Sequence, residues 1–192
     1  NPEYDVNDPR MGLVHRIDKD TSGLLVVAKT PNAKTHLGKQ FFDKTTKREY
    51  VAVVWGAPSP ENGRIEGNIG RSLKDRLQMA VFPDGDMGKH AVTHYETIES
   101  FGYVSVVKCR LETGRTHQIR VQLAGAGYPI IGDIKYGKPV INNYMKSKYD
   151  LTTQLLHAYK LVFAECRQDG PLAYLQGKEF VCPLPDRFER IK

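Results

Sequence analysis

The longest uninterrupted apolar runs in this chain, Leu24 to Ala28 and Val51 to Trp55, are five residues each. A bilayer-spanning helix needs roughly 20, so no segment is expected to cross a membrane. The hydrophobic material instead comes in strand-length pieces separated by Gly, Pro and charge, the pattern of a sheet-based domain. Hydrophobic residues make up 40% and charged residues 26% of 192 residues, which is enough for one buried core and excludes a disordered or fibrous chain.

Read along the chain, Leu24 to Lys29 is apolar without alternation and predicts a short strand buried on both faces. Thr30 and Pro31 supply an N-cap and a first-turn proline. Ala33, Leu37 and Phe41 recur at helical spacing, so Pro31 to about Asp43 is predicted as an amphipathic helix. Glu49 to Trp55 is β-branched and aromatic, a second strand. Gly56 to Gly70, rich in Gly and Pro, reads as a connection holding at most one short strand. Further strands are expected at Leu77–Phe82, Ala91–Ile98, Tyr103–Leu111, Gln154–Phe163 and Gly177–Cys182, with a short helix from Thr116 to about Ala124 stopped by Gly125 and Gly127. The fold class is therefore α+β: a single mixed, mostly antiparallel sheet with a few short helices.

The chain carries 28 Lys and Arg against 22 Asp and Glu, a net charge of +6. Residues 101 to 148 alone hold eight basic side chains against Glu112 and Asp133, which suits a polyanionic partner. Cys109, Cys166 and Cys182 are odd in number and contain no C-x-x-C pair, so neither a disulfide framework nor a zinc knuckle is expected. No export signal opens the sequence, and a reducing, cytoplasmic setting is the simplest expectation.

Two polar segments could carry chemistry. His15-Arg16-Ile17-Asp18-Lys19-Asp20-Thr21-Ser22-Gly23 leads into an apolar run, the sort of loop on which a rigid sheet presents reactive groups. A carboxylate between Arg16 and Lys19 would stay ionised, as a nucleophile or electrostatic stabiliser must. Ordinary turn chemistry accounts for the same residues and, on spacing alone, is favoured. The other segment, Thr113-Gly114-Arg115-Thr116-His117-Gln118-Ile119-Arg120, passes from a strand end into a helix N-terminus, where backbone N–H groups, Arg115 and His117 would receive a phosphate. The plainer alternative is that Thr113 or Thr116 merely caps the helix.

Together these segments resemble the RluA family of pseudouridine synthases. The family's H-R-L-D-x-x-T-S-G-L-L-L-x-A-K is met by HRIDKDTSGLLVVAK, its G-R-T-H-Q-I-R-V-H-L by GRTHQIRVQL, and its K-x-Y-x-A-x-V-x-G within KREYVAVVWG, while Gly127-Tyr128-Pro129-Ile130, Gly132-Asp133 and the closing CPLP continue the likeness. Ile17, Gln122 and Trp55 are mild departures. The family also has an upstream strand with a K-P-x-G segment that has no counterpart here. The expectation is accordingly that residues 1–192 form the catalytic domain without its N-terminal strand or strands, and with no S4-like domain ahead of it.

Carried over position by position, the resemblance implies that Asp18 is the nucleophile, with Arg120 paired to it. Tyr50 would lie under the uracil as the group best placed to accept a proton, and Ile119 would pack near the base. Arg16 would enter the RNA stack as the target uridine flips out. His15, Arg115 and His117 would join the RNA contacts, and Arg71 and Arg76 would track the backbone or only solubilise the sheet. The implied partner is structured rRNA or tRNA and the implied state a monomer. Isomerisation through C5 needs neither redox change nor group donor, so no cofactor and no metal are expected. Attack at uracil C6, attack at ribose C1′ and elimination all remain open for Asp18. His90 and His94 lie too far apart along a strand to share a metal, and His157 reads as a satisfied core residue. Two rival functions are an RNA-binding assembly factor without catalysis and a carboxylate-nucleophile hydrolase of small anions.

Overall fold

The structure, a computed structural model, describes residues 7–8, 10–166 and 168–191. In chain order its elements are β1 (Ser22–Gly23), α1 (Pro31–Asp43), β2 (Thr46–Trp55), β3 (Asn62–Arg71), β4 (Met79–Phe82), β5 (Lys89–Phe101) and β6 (Val104–Leu111). They continue with α2 (Gln118–Gly125), α3 (Pro139–Tyr149), β7 (Leu156–Phe163), β8 (Glu179–Val181) and α4 (Asp186–Glu189). One mixed sheet runs in the order β1-β7-β2-β6-β5-β3-β4, with β8 on the far part of β7. Among the described residues only the β1–β7 pairing is parallel, Ser22 opposite His157 and Gly23 opposite Ala158.

β2 lies inside the sheet between β6 and β7, and its second half, Tyr50 to Val54, is buried on both faces, in keeping with its continuously apolar sequence there. Tyr50, Ala52 and Val54 point to one face and pack with Ile119 and Leu123 of α2, whereas Val51 and Val53 point to the other and meet Met145 of α3 and Phe188 of α4. The β2–β7 ladder shifts register between Glu49 and Tyr50, so β7 bulges beside the tyrosine. α1 has the predicted bounds: Thr30 Oγ1 accepts from Ala33 N at 3.2 Å, and Lys44 closes the helix in the left-handed region.

Three expectations are corrected. Leu24 to Lys29 is not a strand buried on both faces. β1 ends at Gly23, the following chain makes one bridge from Val27 to Leu13, and Leu25 and Val27 are 43% and 56% exposed. Residues 62–71 form a ten-residue strand rather than a connection. Their glycines serve close packing, since a Cβ on Gly63 would sit 2.9 Å from the Tyr95 ring and one on Gly70 would sit 3.0 Å from Gly88 Cα. α3 has no counterpart in the sequence reading although Ile141, Met145 and Tyr149 recur at helical spacing; these pack on the core, and Asn142 bonds Gly132 N and Asp133 O. Among the described residues no helix is long and apolar enough to cross a membrane.

Candidate active site

The loop bearing Asp18 is pinned from several sides. Thr21 N donates to Asp18 O at 3.1 Å, closing a turn in which Asp20 takes φ 69°. Gln154, just ahead of β7, donates to Lys19 O at 2.6 Å and to Thr21 Oγ1 at 3.3 Å. Ser22 Oγ meets His157 Nδ1 at 2.8 Å, and because His157 Nε2 lies 2.9 Å from the Cys182 carbonyl it must donate there, leaving Nδ1 to accept the serine proton. His157 is thus the satisfied core residue expected. Gly23 must be glycine: its φ is +105° and a Cβ would lie 2.3 Å from Ala158 O.

His15 faces away from this loop mouth. Its ring stacks on Phe41 at 4.3 Å and its Nε2 accepts from Val26 N at 3.0 Å. Burial, helped by the positive charge of Arg48, pulls its pKa down to about 4. A neutral imidazole joining two chain segments is its structural role here.

The second segment turns by a different device from the threonine cap considered above. His117 is the N-cap of α2 at φ 55°, without a side-chain cap bond. Gln118 organises the turn: its Oε1 accepts from Arg115 N and from Thr113 Oγ1, and its Nε2 donates to Val92 O and Thr93 Oγ1. Arg120, one helical step further, is 5% exposed at its side chain. Its Nε and Nη2 donate to the two carboxylate oxygens of Asp133 at 2.7 and 2.9 Å, and its Nη1 reaches Asp18 Oδ2 at 3.4 Å. The expected Asp18–Arg120 pair therefore exists, but it is the weaker arm. The stronger partner, fully buried Asp133, also accepts from Lys135 N and Tyr136 N. The guanidinium stands over the Tyr136 ring at 5.2 Å. Tyr136 Oη accepts from Met79 N at 2.8 Å and lies 2.7 Å from His117 Nδ1, tying the α2 N-terminus to the β4 strand. Burial lowers the pKa of His117, opposed by the negative charge of Asp18.

Asp18 and Tyr50 line one cleft of about 560 Å³ out to its open mouth, together with Arg16, Ile17, Arg48, Arg115 and Ile119. Burial pushes the Tyr50 phenol above its usual pKa, while the charge of Arg48 opposes the shift and that of Asp18 adds to it. Three guanidiniums, Arg16, Arg48 and Arg115, thus face a lining with one carboxylate. Of the residues singled out in the sequence, Asp18, Tyr50, Ile119, Arg16 and Arg115 converge here, with Arg120 directly behind Asp18. His15 and His117 sit outside the lining. Arg71 and Arg76 also lie outside it, exposed on the β3–β4 turn, where Arg71 Nη1 donates to Arg76 O. His90 and His94 each bond a separate glutamate, Glu66 and Glu112. Arg48 and Asp133 were assigned no role in the sequence. Arg48 stands two residues before Tyr50 in a strand, a spacing that places both on one face.

The model of the family described as RNA pseudouridylate synthase matches residues 2–125. The chain belongs to the RNA pseudouridylate synthase family. Its relatives place it in the RluA branch. An RNA pseudouridine synthase of Bacillus subtilis is 46% identical over 92% of this chain and 53% of its own length, and one from Chlorobaculum parvum is 42% identical over 98% and 59%. A ribosomal large subunit pseudouridine synthase D of Neisseria meningitidis serogroup A is 44% identical over 93% of this chain and 46% of the relative. The chain thus spans about half the length of the curated pseudouridylate synthases it matches. The solved human RNA pseudouridylate synthase domain containing 4 superposes with a TM-score of 0.72 at 27% identity, covering 92% of this chain and 72% of that one. The α+β sheet expected from the sequence is the fold of these synthases.

Proposed function

We propose that this chain is the catalytic part of an enzyme that isomerises a uridine in structured RNA to pseudouridine, with Asp18 as nucleophile. The carrying observation is that Asp18 and Tyr50, 32 positions apart, line one cleft, while Arg120, 102 positions from Asp18, touches its carboxylate. Several relatives are named for the large ribosomal subunit, which favours ribosomal RNA over tRNA as substrate. The enzyme acts as a cytoplasmic monomer without cofactor or metal.

In this reading the target uridine leaves the RNA stack and its base enters the cleft, where Ile119 and Tyr50 contact the ring. Arg16, exposed at the cleft mouth, fills the vacated stack, and Arg115 and the exposed Arg71 and Arg76 take backbone phosphates. Asp18 attacks the nucleotide or assists elimination, Arg120 orients it, and once C5 is joined to the sugar Tyr50, a neutral phenol, takes the C5 proton as it gives up its own hydroxyl proton to water. His15 and His117 support the two loops without touching RNA.

The test uses the full protein and ribosomal RNA tritiated at uracil C5. Wild type releases label to water because C5 becomes the glycosidic carbon, and Asp18→Asn releases none. Binding without release by wild type, on ribosomal and transfer RNA alike, defeats the proposal and favours the assembly-factor alternative.

A further inference from the structure

Among the described residues, Arg48 is the one guanidinium of the cleft that has neither a hydrogen-bond or ion-pair partner nor open water around all of it. Its Nε is buried without a hydrogen-bond acceptor, and no ion pair engages its remaining nitrogens among the described residues. A buried donor left unpaired destabilises a fold, and one such group at a site calls for an explanation. The surroundings hold it in place: its guanidinium stands 5.8 Å from the centre of the Phe41 ring. On another side lies Gly114, where a Cβ would come within 3.0 Å of Nη1 and 3.3 Å of Nη2. The group is positioned, charged and unmatched, beside Tyr50 and on the same strand face.

We infer that Arg48 is a catalytic residue whose guanidinium receives the negative charge that the uracil ring bears during the isomerisation. This rests on the function proposed above, but not on which route Asp18 takes. If Asp18 attacks C1′, its oxygen bonds to that carbon while the N1–C1′ pair departs with N1. In an elimination Asp18 removes a ribose proton and the same pair departs with N1. Either way the ring is a monoanion spread over N1, O2 and O4. If Asp18 adds to C6, the C5=C6 pair shifts and O4 becomes an enolate oxygen. In the C6 adduct the N1–C1′ bond breaks next, its pair staying on N1. In every route bonding of C5 to C1′, loss of the C5 proton and protonation of N1 then complete the isomerisation, with Asp18 leaving C1′ or C6, or, after elimination, returning the ribose proton to C2′. In every route a ring oxygen turns anionic after binding, and a preorganised cation in a partly dry cleft acts on that charge rather than on the neutral base.

The experiment compares wild type, Arg48→Met, Arg48→Lys and Gly114→Ala in the full protein. It measures single-turnover tritium release, RNA affinity against salt, and thermal melting. Arg48→Met is expected to slow the bound-state rate by about 10²–10³-fold, the scale for losing one charge-stabilising donor. RNA affinity should stay within about twofold and the salt slope should not change. Arg48→Lys restores part of the rate. Gly114→Ala, which displaces the guanidinium without strained backbone, slows it with an unchanged melt, so the test survives if Arg48→Met misfolds. Weakened affinity with a shallower salt slope and a normal bound rate would make Arg48 a phosphate contact and overturn the inference; unchanged rates overturn it too. A wild type that forms no pseudouridine fails at the parent function instead, and the inference falls with it.

Discussion

Asp133 should prove more costly to remove than any other single carboxylate of the site. It is wholly buried and accepts four hydrogen bonds, two from Arg120 at 2.7 and 2.9 Å and two from the Lys135 and Tyr136 amides at 2.9 and 3.1 Å. Asp133→Ala strips all four and leaves a guanidinium that is 5% exposed with a single 3.4 Å contact to Asp18. Breaking a buried pair from one side costs about 3–5 kcal/mol, because the surviving charge stays desolvated. With a urea m-value of about 2 kcal/mol/M, the denaturation midpoint should fall by about 2 M. Arg120→Met should cost a similar amount for the mirror-image reason. The double variant Arg120→Met with Asp133→Ala removes both charges and should be milder than the two losses summed, with a coupling of about 2–3 kcal/mol. Urea melts of the four proteins close the cycle. A loss under about 1 kcal/mol for Asp133→Ala, or additivity within about 0.5 kcal/mol, refutes the reasoning.

Three further outcomes are accessible on the same protein. His15, at pKa about 4 against 6.5 unfolded, favours the folded state while neutral. That stability is complete above pH 6.5 and is lost as pH falls from about 6.5 to about 4, because protonation takes away the acceptor used by Val26 N. After discounting for solvent screening the loss is about 2 kcal/mol; it appears in pH-dependent melts as a difference between wild type and His15→Phe, and parallel pH profiles count against it. Gly23→Ala, with its Cβ 2.3 Å from a carbonyl, should lower Tm by about 5–10 °C, whereas Gly38→Ala, in α1 with nothing within 4 Å, should raise it by about 2 °C. Cys109 is fully buried and its thiol is pushed up to about 12, so a thiol reagent should modify Cys166 and Cys182 in the native state and reach Cys109 only on unfolding.

What could be read in the sequence depends on how local its cause is. The bounds of α1 are set within a few residues, by the Thr30 hydroxyl, the Pro31 ring and one apolar stripe, and the structure returns the same bounds. β3 escaped because its glycines carry the chemical signature of a turn while serving the approach of Tyr95 and Gly88 from elsewhere in the chain. The apolar run at Leu24 was over-read for the converse reason: composition reports that a segment can be covered, not that a neighbouring element covers it. At the site, motif resemblance named Asp18, Tyr50 and Arg120, which the structure brings together, but gave no sign that Asp133 is the stronger partner of Arg120.

That ranking follows from burial. A guanidinium as enclosed as Arg120 is stable only against a carboxylate that meets it with two short, parallel bonds and is itself held by backbone N–H groups, and Asp133 supplies that. Asp18 is relieved of the task. Touched through one long contact and 18% exposed, it keeps oxygen lone pairs free for the incoming nucleotide, which a fully paired carboxylate could not offer. A proposed nucleophile beside a cation whose charge is already matched elsewhere is thus both positioned and available, and the arrangement needs two carboxylates although the motif advertises one.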